Sequence, residues 1–256
     1  MIIIAFIFGA IIGSFLNVVI LRLKIQEDGR FKLDLSGRSK CPSCQKKLTW
    51  IELIPILSFI FLSGRCLKCQ KPISYQYPLV ELASGLLTAF SVYFLGWQNI
   101  YTYLLILILY LFIIIFVYDL KYFIIPDVIL IPLFFLILIF DIIKIAQHQT
   151  NLANLGLGLL IGGGLFLALV YFSHQKWMGW GDVKLGFLLG LLMSYPYIIV
   201  SHFLAFVIGA LVSLVLIAFK GLKLKSEIAF GPFLILAATI TIFFGQVIIN
   251  WYLKGF

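Results

Sequence analysis

Long, unbroken apolar runs dominate the chain, with little of the alternation or three-to-four spacing that marks half-buried strands and surface helices. The first run covers Met1–Leu21 and stops at Arg22; after a polar stretch, others occupy about 79–97, 101–118, 128–147, 152–173, 185–200, 203–219 and 229–253. Their lengths bracket the ~20 residues that a helix needs to cross ~30 Å of hydrocarbon. Hydrocarbon offers no partner to a backbone N–H or C=O, so such runs must be helical. The expectation is an all-α polytopic membrane protein of about eight transmembrane helices. Met1–Leu21 has neither a basic leader nor a small-residue cleavage site and is expected to be a retained helix. The expected organisation is a first span at 1–21, a loop at 22–77 and a seven-helix membrane core at 78–256.

Composition agrees. The 256 residues are 63% hydrophobic and 11% charged, against roughly 45–50% and about 25% in soluble domains. A water-soluble enzyme, a disordered tail and a nucleic-acid reader are excluded. The net charge of +9 is concentrated: residues 22–77 hold eleven of nineteen Lys and Arg with only four acids, a net +7. Basic loops stay in the cytoplasm, which puts the N-terminus outside and the 22–77 loop inside the plasma (inner) membrane. Alternation then predicts cytoplasmic connections at 119–127, 174–184 and 220–228, and external ones near 98–100, 148–151 and 201–202. Lys121, Lys176, Lys184, Lys220, Lys223 and Lys225 fall on the cytoplasmic side, and only Lys144 and Lys254 fall toward the outside.

All four cysteines lie in the basic loop as Cys41-Pro-Ser-Cys44 and Cys66-Leu-Lys-Cys69. Two such pairs supply four thiolates, the closed tetrahedral set of a structural zinc ribbon, and a reducing cytoplasm argues against disulfides. Between them, Leu48–Leu62 is too apolar for water and too short to span. It is expected to form an amphipathic hairpin against the cytoplasmic face, with Trp50 at headgroup level. Gly156, Gly158, Gly162, Gly163 and Gly164, with Gly186 and Gly190, are expected to be close-packing helix faces.

Ionisable groups at membrane level are candidates for chemistry, and outside the loop the acids are Glu81, Asp119, Asp127, Asp141, Asp182 and Glu227. Asp141 and Glu227 read as solvated interface residues, and Asp127, after Pro126, as an N-cap. Asp119 closes the third span and Asp182 opens the sixth within Gly179-Trp180-Gly181-Asp182, so both lie on cytoplasmic helix ends. Facing carboxyls share one proton, the arrangement of aspartic proteolysis. Helix dipoles suggest that Asp182, at an N-terminus, is the ionised base and that Asp119, at a C-terminus, holds the proton. An alternative is a proton- or ion-coupled transporter using the two aspartates as a relay.

These residues together resemble the bifunctional prepilin leader peptidase/N-methyltransferase family, membrane aspartic peptidases of the GxGD type. The resemblance runs through Gly13-Ser14-Phe15-Leu16-Asn17, the two cysteine pairs, Gly64-Arg65-Cys66, Tyr77-Pro78-Leu79-Val80-Glu81, Asp119, Ile125-Pro126-Asp127, Gly179–Leu185 and Phe230-Gly231-Pro232-Phe233. It implies Asp119 and Asp182 as catalytic aspartates and Cys41, Cys44, Cys66 and Cys69 as zinc ligands. The implied substrates are type IV prepilins or pseudopilins, cut at the cytoplasmic face and then methylated from S-adenosylmethionine. The implied partners are those proteins and the lipid bilayer, with no nucleic acid. Departures from the family pattern are Leu53 after Glu52, Lys24 after Arg22-Leu23, and Ala229 before Phe230. No glycine-rich nucleotide loop is present, and Glu52 and Glu81 are only weak candidates for the methyl donor.

Overall fold

The computed structural model of the protein describes residues 1–26, 31–220 and 228–254, with the side chains of Lys220 and Lys254 left aside. The readings of Glu27, Asp28, Arg30, Lys223, Lys225 and Glu227 as loop or interface charges therefore lie outside the described residues. The chain divides into two compact units, Met1–Ile114 and Ile115–Phe256. Among the described residues, seven helices are long and apolar enough to cross a membrane.

In the first unit, α1 (Ile2–Arg22) packs along α3 (Gln76–Leu95). Small residues make this approach possible: a Cβ added at Gly13 would lie 2.8 Å from the Cα of Glu81. Asn17, 1% exposed, fastens the same end. Its Nδ2 donates to the carbonyls of Gly13 and Tyr77 at 3.3 and 3.1 Å, and its Oδ1 accepts from Gln76 Nε2 at 3.1 Å. Without water as a partner, an amide satisfied on both atoms fixes one register for the helix pair. Thr88 on α3 bonds Tyr110 at 2.8 Å, tying in α4 (Ile100–Tyr122). Between α1 and α3 the chain forms an antiparallel hairpin, β1 (Leu23–Ile25) with β2 (Phe31–Leu33), two cysteine knuckles, a 3₁₀ turn at Ile51–Leu53 and a short α2 (Leu57–Phe61). The β-hairpin was not expected from the sequence.

The second unit takes up the end of α4 and adds α5 (Asp127–Ala146), α6 (Leu152–Ser173), α7 (Trp180–Met193), α8 (Tyr197–Lys220) and α9 (Gly231–Lys254). The expected count of about eight is met by seven long helices and α7, whose 14 residues extend only about 21 Å at ~1.5 Å per residue. α7 packs against α5, α6, α8 and α9. The break expected at 201–202 falls instead at Ser194-Tyr195-Pro196, because the residue before a proline is pushed out of helical geometry. Ser201 and His202 are consequently buried inside α8.

A short helix ending at membrane depth leaves carbonyls without partners. Lys144 of α5 supplies one donor: its Nζ bonds the Leu192 carbonyl at 3.1 Å and stands 4.8 Å over the Phe140 ring. Asp141, close enough for the two opposite charges to attract, is 4% exposed. That overturns its reading as a solvated interface residue, since one helical turn places it near Lys144 and away from solvent.

Glycines bring α6 and α7 into backbone contact. A Cβ at Gly162 would meet the Gly186 carbonyl at 2.5 Å and the Gly190 Cα at 2.6 Å, while Gly156 and Gly164 have nothing within 4 Å. Only part of the expected glycine face is therefore packed. Gly190→Val should lower stability in detergent by about 1–3 kcal/mol or prevent folding, whereas Gly164→Ala should leave the unfolding midpoint nearly unchanged; thermal unfolding of the purified chain checks both.

Candidate functional site

Asp119 lies in the last turn of α4 and is 4% exposed. A carboxylate is poorly placed at the end of its own helix, where carbonyls point toward it. The second unit resolves this through another helix. Gly231, the first residue of α9, donates its backbone N–H to the Asp119 carboxylate. A Cβ at Gly231 would come within 2.5 Å of Asp119 Oδ2, so any larger residue there would displace the carboxylate. Pro232 follows in the first turn, where its missing N–H and fixed φ suit a helix start.

Asp182 is the third residue of α7 and is half-buried. Its Oδ2 accepts the Gly179 N–H at 3.4 Å and its own N–H donates to the Gly179 carbonyl at 3.2 Å, the reciprocal pattern of an N-terminal cap. Asp119 stands near enough to act electrostatically on Asp182. The 63 residues between them are thus closed by the fold, and both carboxyls sit at helix N-termini, Asp182 at its own and Asp119 at that of α9. The assignment of the proton to Asp119 from the dipole of α4 alone loses its basis, because α9 supplies an opposing dipole.

Ile125 is the wedge of this site. It is 7% exposed, and its side chain would meet an added Cβ at Gly181 at 3.1 Å and one at Gly231 at 3.2 Å. Gly231, the donor to Asp119, and Gly181, the residue just before Asp182, thus close on one isoleucine. Asp127 does not act as the expected N-cap: Pro126 occupies that position, and Asp127 opens α5. Its two carboxylate oxygens instead accept from Lys184 Nζ at 2.7 and 2.9 Å. This ion pair joins the start of α5 to the second turn of α7, two residues from Asp182. Sequence reasoning missed the Gly231 donor, the Ile125 wedge and the Asp127–Lys184 pair. Only the Gly231-Pro232 helix start had a local signal.

The first unit holds the cysteine cluster. The four Sγ atoms lie within 4.8 Å of one another and could hold a metal ion. Cys41 and Cys69 are 3.9 Å apart, and Cys44 and Cys66 are 4.0 Å apart. Each knuckle turns its backbone N–H groups onto the first sulfur. Donors from Cys69 and Lys68 push Cys66 down to about 6, and the N–H of Cys44, ahead of that of Ser43, lowers Cys41. Donors aimed at sulfur favour the thiolate, the form that binds metal.

Glu52 and Glu81, the two weak candidates for the methyl donor, are both engaged in the fold. Glu52 accepts the Thr49 N–H and hydroxyl, each at 2.9 Å, and pairs with Lys46 at 3.0 Å. The Thr49 N–H first, then Lys46, hold its carboxyl below the usual range against the opposing effect of burial. Glu81 accepts the Ile56 N–H at 2.8 Å and the Ser14 hydroxyl. Among the described residues, no set of side chains stands out as a holder for S-adenosylmethionine.

Residues 7–95 match the family described as the bacterial peptidase A24 N-terminal domain, and residues 105–214 match the type IV leader peptidase family. A protein of Aeromonas hydrophila named prepilin leader peptidase/N-methyltransferase is 32% identical over 98% of this chain and 93% of its own length. Proteins of the same name from Bacillus subtilis and Vibrio cholerae are 32% identical over 98% of this chain and 97% of theirs, and 34% over 77% and 81%. No solved structure matches. With full-length relatives above 30% identity and two domain matches in order, this chain belongs to the prepilin leader peptidase/N-methyltransferase family.

Proposed function

We propose that the chain is an intramembrane aspartic endopeptidase that removes the leader peptide of type IV prepilins or pseudopilins. The observation that carries this reading is the meeting of Asp119 and Asp182 at helix ends, each with a backbone donor and each in electrostatic reach of the other. Two carboxyls so placed hold one proton between them. The ionised member takes a proton from water as the water oxygen attacks the peptide carbonyl carbon. The protonated member gives its proton to the carbonyl oxygen. As the tetrahedral species collapses, one of its hydroxyls returns a proton to the ionised carboxylate while the other carboxyl gives its proton to the departing amine, which restores the one-proton pair. The Gly231 and Gly179 N–H groups hold the carboxylates in place, so that little reorganisation accompanies the proton transfers.

The distribution of Lys and Arg supports an orientation with the N-terminus outside and this site at the cytoplasmic face of the plasma membrane. A substrate with an apolar segment can then approach through lipid and meet the aspartates where that segment leaves the bilayer. The transporter alternative finds no support, since a relay calls for carboxylates near mid-membrane on broken helices and these two occupy terminal turns.

The metal that best fits the cysteine cluster is zinc. Tetrahedral sites with Zn–S bonds of about 2.3 Å put sulfurs about 3.8 Å apart, close to the 3.9 and 4.0 Å of the two pairs. Such an ion would join Cys41 and Cys44 to Cys66 and Cys69 and serve structure, because four thiolates leave no open position. Methylation of the new N-terminus, with S-adenosylmethionine as donor, is the second activity in the name of the relatives. Glu52 and Glu81 are otherwise engaged, by Thr49 and Lys46 and by Ile56.

In cells supplied with a prepilin, Asp119→Ala and Asp182→Ala should each reduce leader cleavage by at least about 10³-fold, read by gel shift; cleavage retained in either would remove the pair from the chemistry. Gly231→Ala should cost about 10- to 100-fold, as expected for a displaced catalytic group. In the purified chain, Cys66→Ser and Cys69→Ser should each lose about one zinc per chain by elemental analysis; unchanged stoichiometry would exclude the four-thiolate site.

A further inference from the structure

The stretch from Trp50 to Phe61 has a feature that peptide cleavage does not use. Its large apolar side chains point outward: Trp50 is 75% exposed, Ile60 61% and Phe61 81%. Patches of this kind mark a surface made for a partner. The stretch is also tethered. Ile56 has φ 62°, a left-handed conformation that a β-branched residue avoids, and its N–H in that conformation donates to Glu81 Oε2 at 2.8 Å. Glu81 belongs to α3, a helix long and apolar enough to span, and is held from the other side by Ser14 of α1. A buried carboxylate bonded to both neighbours fixes the level of the hairpin against the two helices.

That level can be read along α3. Glu81 is five residues beyond the helix start at Gln76, about 7.5 Å along the axis at ~1.5 Å per residue. The backbone around Ile56 therefore lies beside the second turn of a helix long and apolar enough to span, near one of its ends. Phe59 leans on Tyr75, just before that helix, with ring centroids 5.5 Å apart. The cations lie on the adjoining knuckles, where Lys47, Arg65, Lys68 and Lys71 are exposed. Apolar side chains beside lysines and arginines, at the entry level of two spans, form the pattern of a segment lying in the membrane interface over anionic headgroups.

We propose that Trp50–Phe61 is a lipid-embedded anchor whose depth is set by the Glu81–Ile56 hydrogen bond, and that the basic knuckles beside it bind anionic headgroups. It fastens the cysteine cluster to the bilayer surface. The proposal rests on α1 and α3 being membrane spans and is independent of the peptidase reading.

The test uses the full chain with Trp97, Trp177, Trp180 and Trp251 replaced by Phe, so that Trp50 alone emits. It is reconstituted in phosphatidylcholine vesicles with or without phosphatidylglycerol, using lipids brominated at shallow or deep acyl positions. Trp50 should be quenched several-fold more by shallow than by deep bromines and should be largely protected from aqueous iodide. Brominated phosphatidylglycerol should quench it more than brominated phosphatidylcholine at the same mole fraction. Glu81→Gln, which keeps an acceptor, should preserve this profile, and Glu81→Ala should raise iodide quenching at least twofold. Free access of iodide in the parent protein, with no effect of brominated lipid, would overturn the anchor. So would protection that appears only when a prepilin is added, which would assign the surface to a protein partner. Equal quenching by the two brominated lipids would overturn the headgroup preference, and an unchanged Glu81→Ala profile would overturn the tether. Leader cleavage by the same variants is measured separately, so failure here and failure of the peptidase reading are distinguishable.

Discussion

Hydrocarbon does not hydrogen-bond, and this constraint shapes how the two units place the polar groups they hold at membrane level. Asn17 makes three hydrogen bonds in closing α1 on α3. Lys144 reaches the last turn of a helix too short to span. Asp119 finds the free N–H of a helix other than its own. For Asn17 and Asp119 the approach depends on the absence of a Cβ, at Gly13 and at Gly231. Small residues and buried polar groups are thus two aspects of one solution: close backbone approach lets a carbonyl or N–H stand in for water.

The same logic shapes the aspartate pair. A carboxylate at the end of α4 would be repelled by its own helix, yet the start of α9 faces it with an N–H and a favourable dipole. Asp182 gains the equivalent from the first turn of α7. The site is consequently assembled from three helix ends, with Ile125 between their glycines and the Asp127–Lys184 pair across the start of α5 and α7. The lysine of α7, two residues from Asp182, is already occupied by Asp127. The cysteine cluster and its apolar hairpin form a second device, tied through Glu81 to α3.

The helices and their approximate number were legible from the apolar runs because the bilayer fixes a length that any spanning helix must meet. The cysteine cluster was legible because four thiolates in two short pairs leave few other arrangements, and Asp119 and Asp182 because acids are scarce. What failed was whatever depended on contact across the fold. Asp127 follows a proline and reads locally as a cap, but its partner, Lys184, is 57 residues away. Asp141 reads as solvated unless Lys144, one turn along, is read with it. The end of α7 at Met193 was marked by Pro196 three residues on, yet the apolar run on either side concealed it. The N–H that Gly231 turns toward Asp119 could not be inferred from either segment alone, since it arises only when α4 and α9 meet.

The most direct test of the shared-proton pair is a double-mutant comparison of prepilin leader cleavage in Asp119→Asn, Asp182→Asn and the combined variant, with membrane protein levels matched. Residues that act as one unit are strongly non-additive. The account predicts that each single change abolishes most cleavage and that the double variant is no worse than either. Losses that multiply in the double variant, or a single variant that cleaves normally, would contradict it.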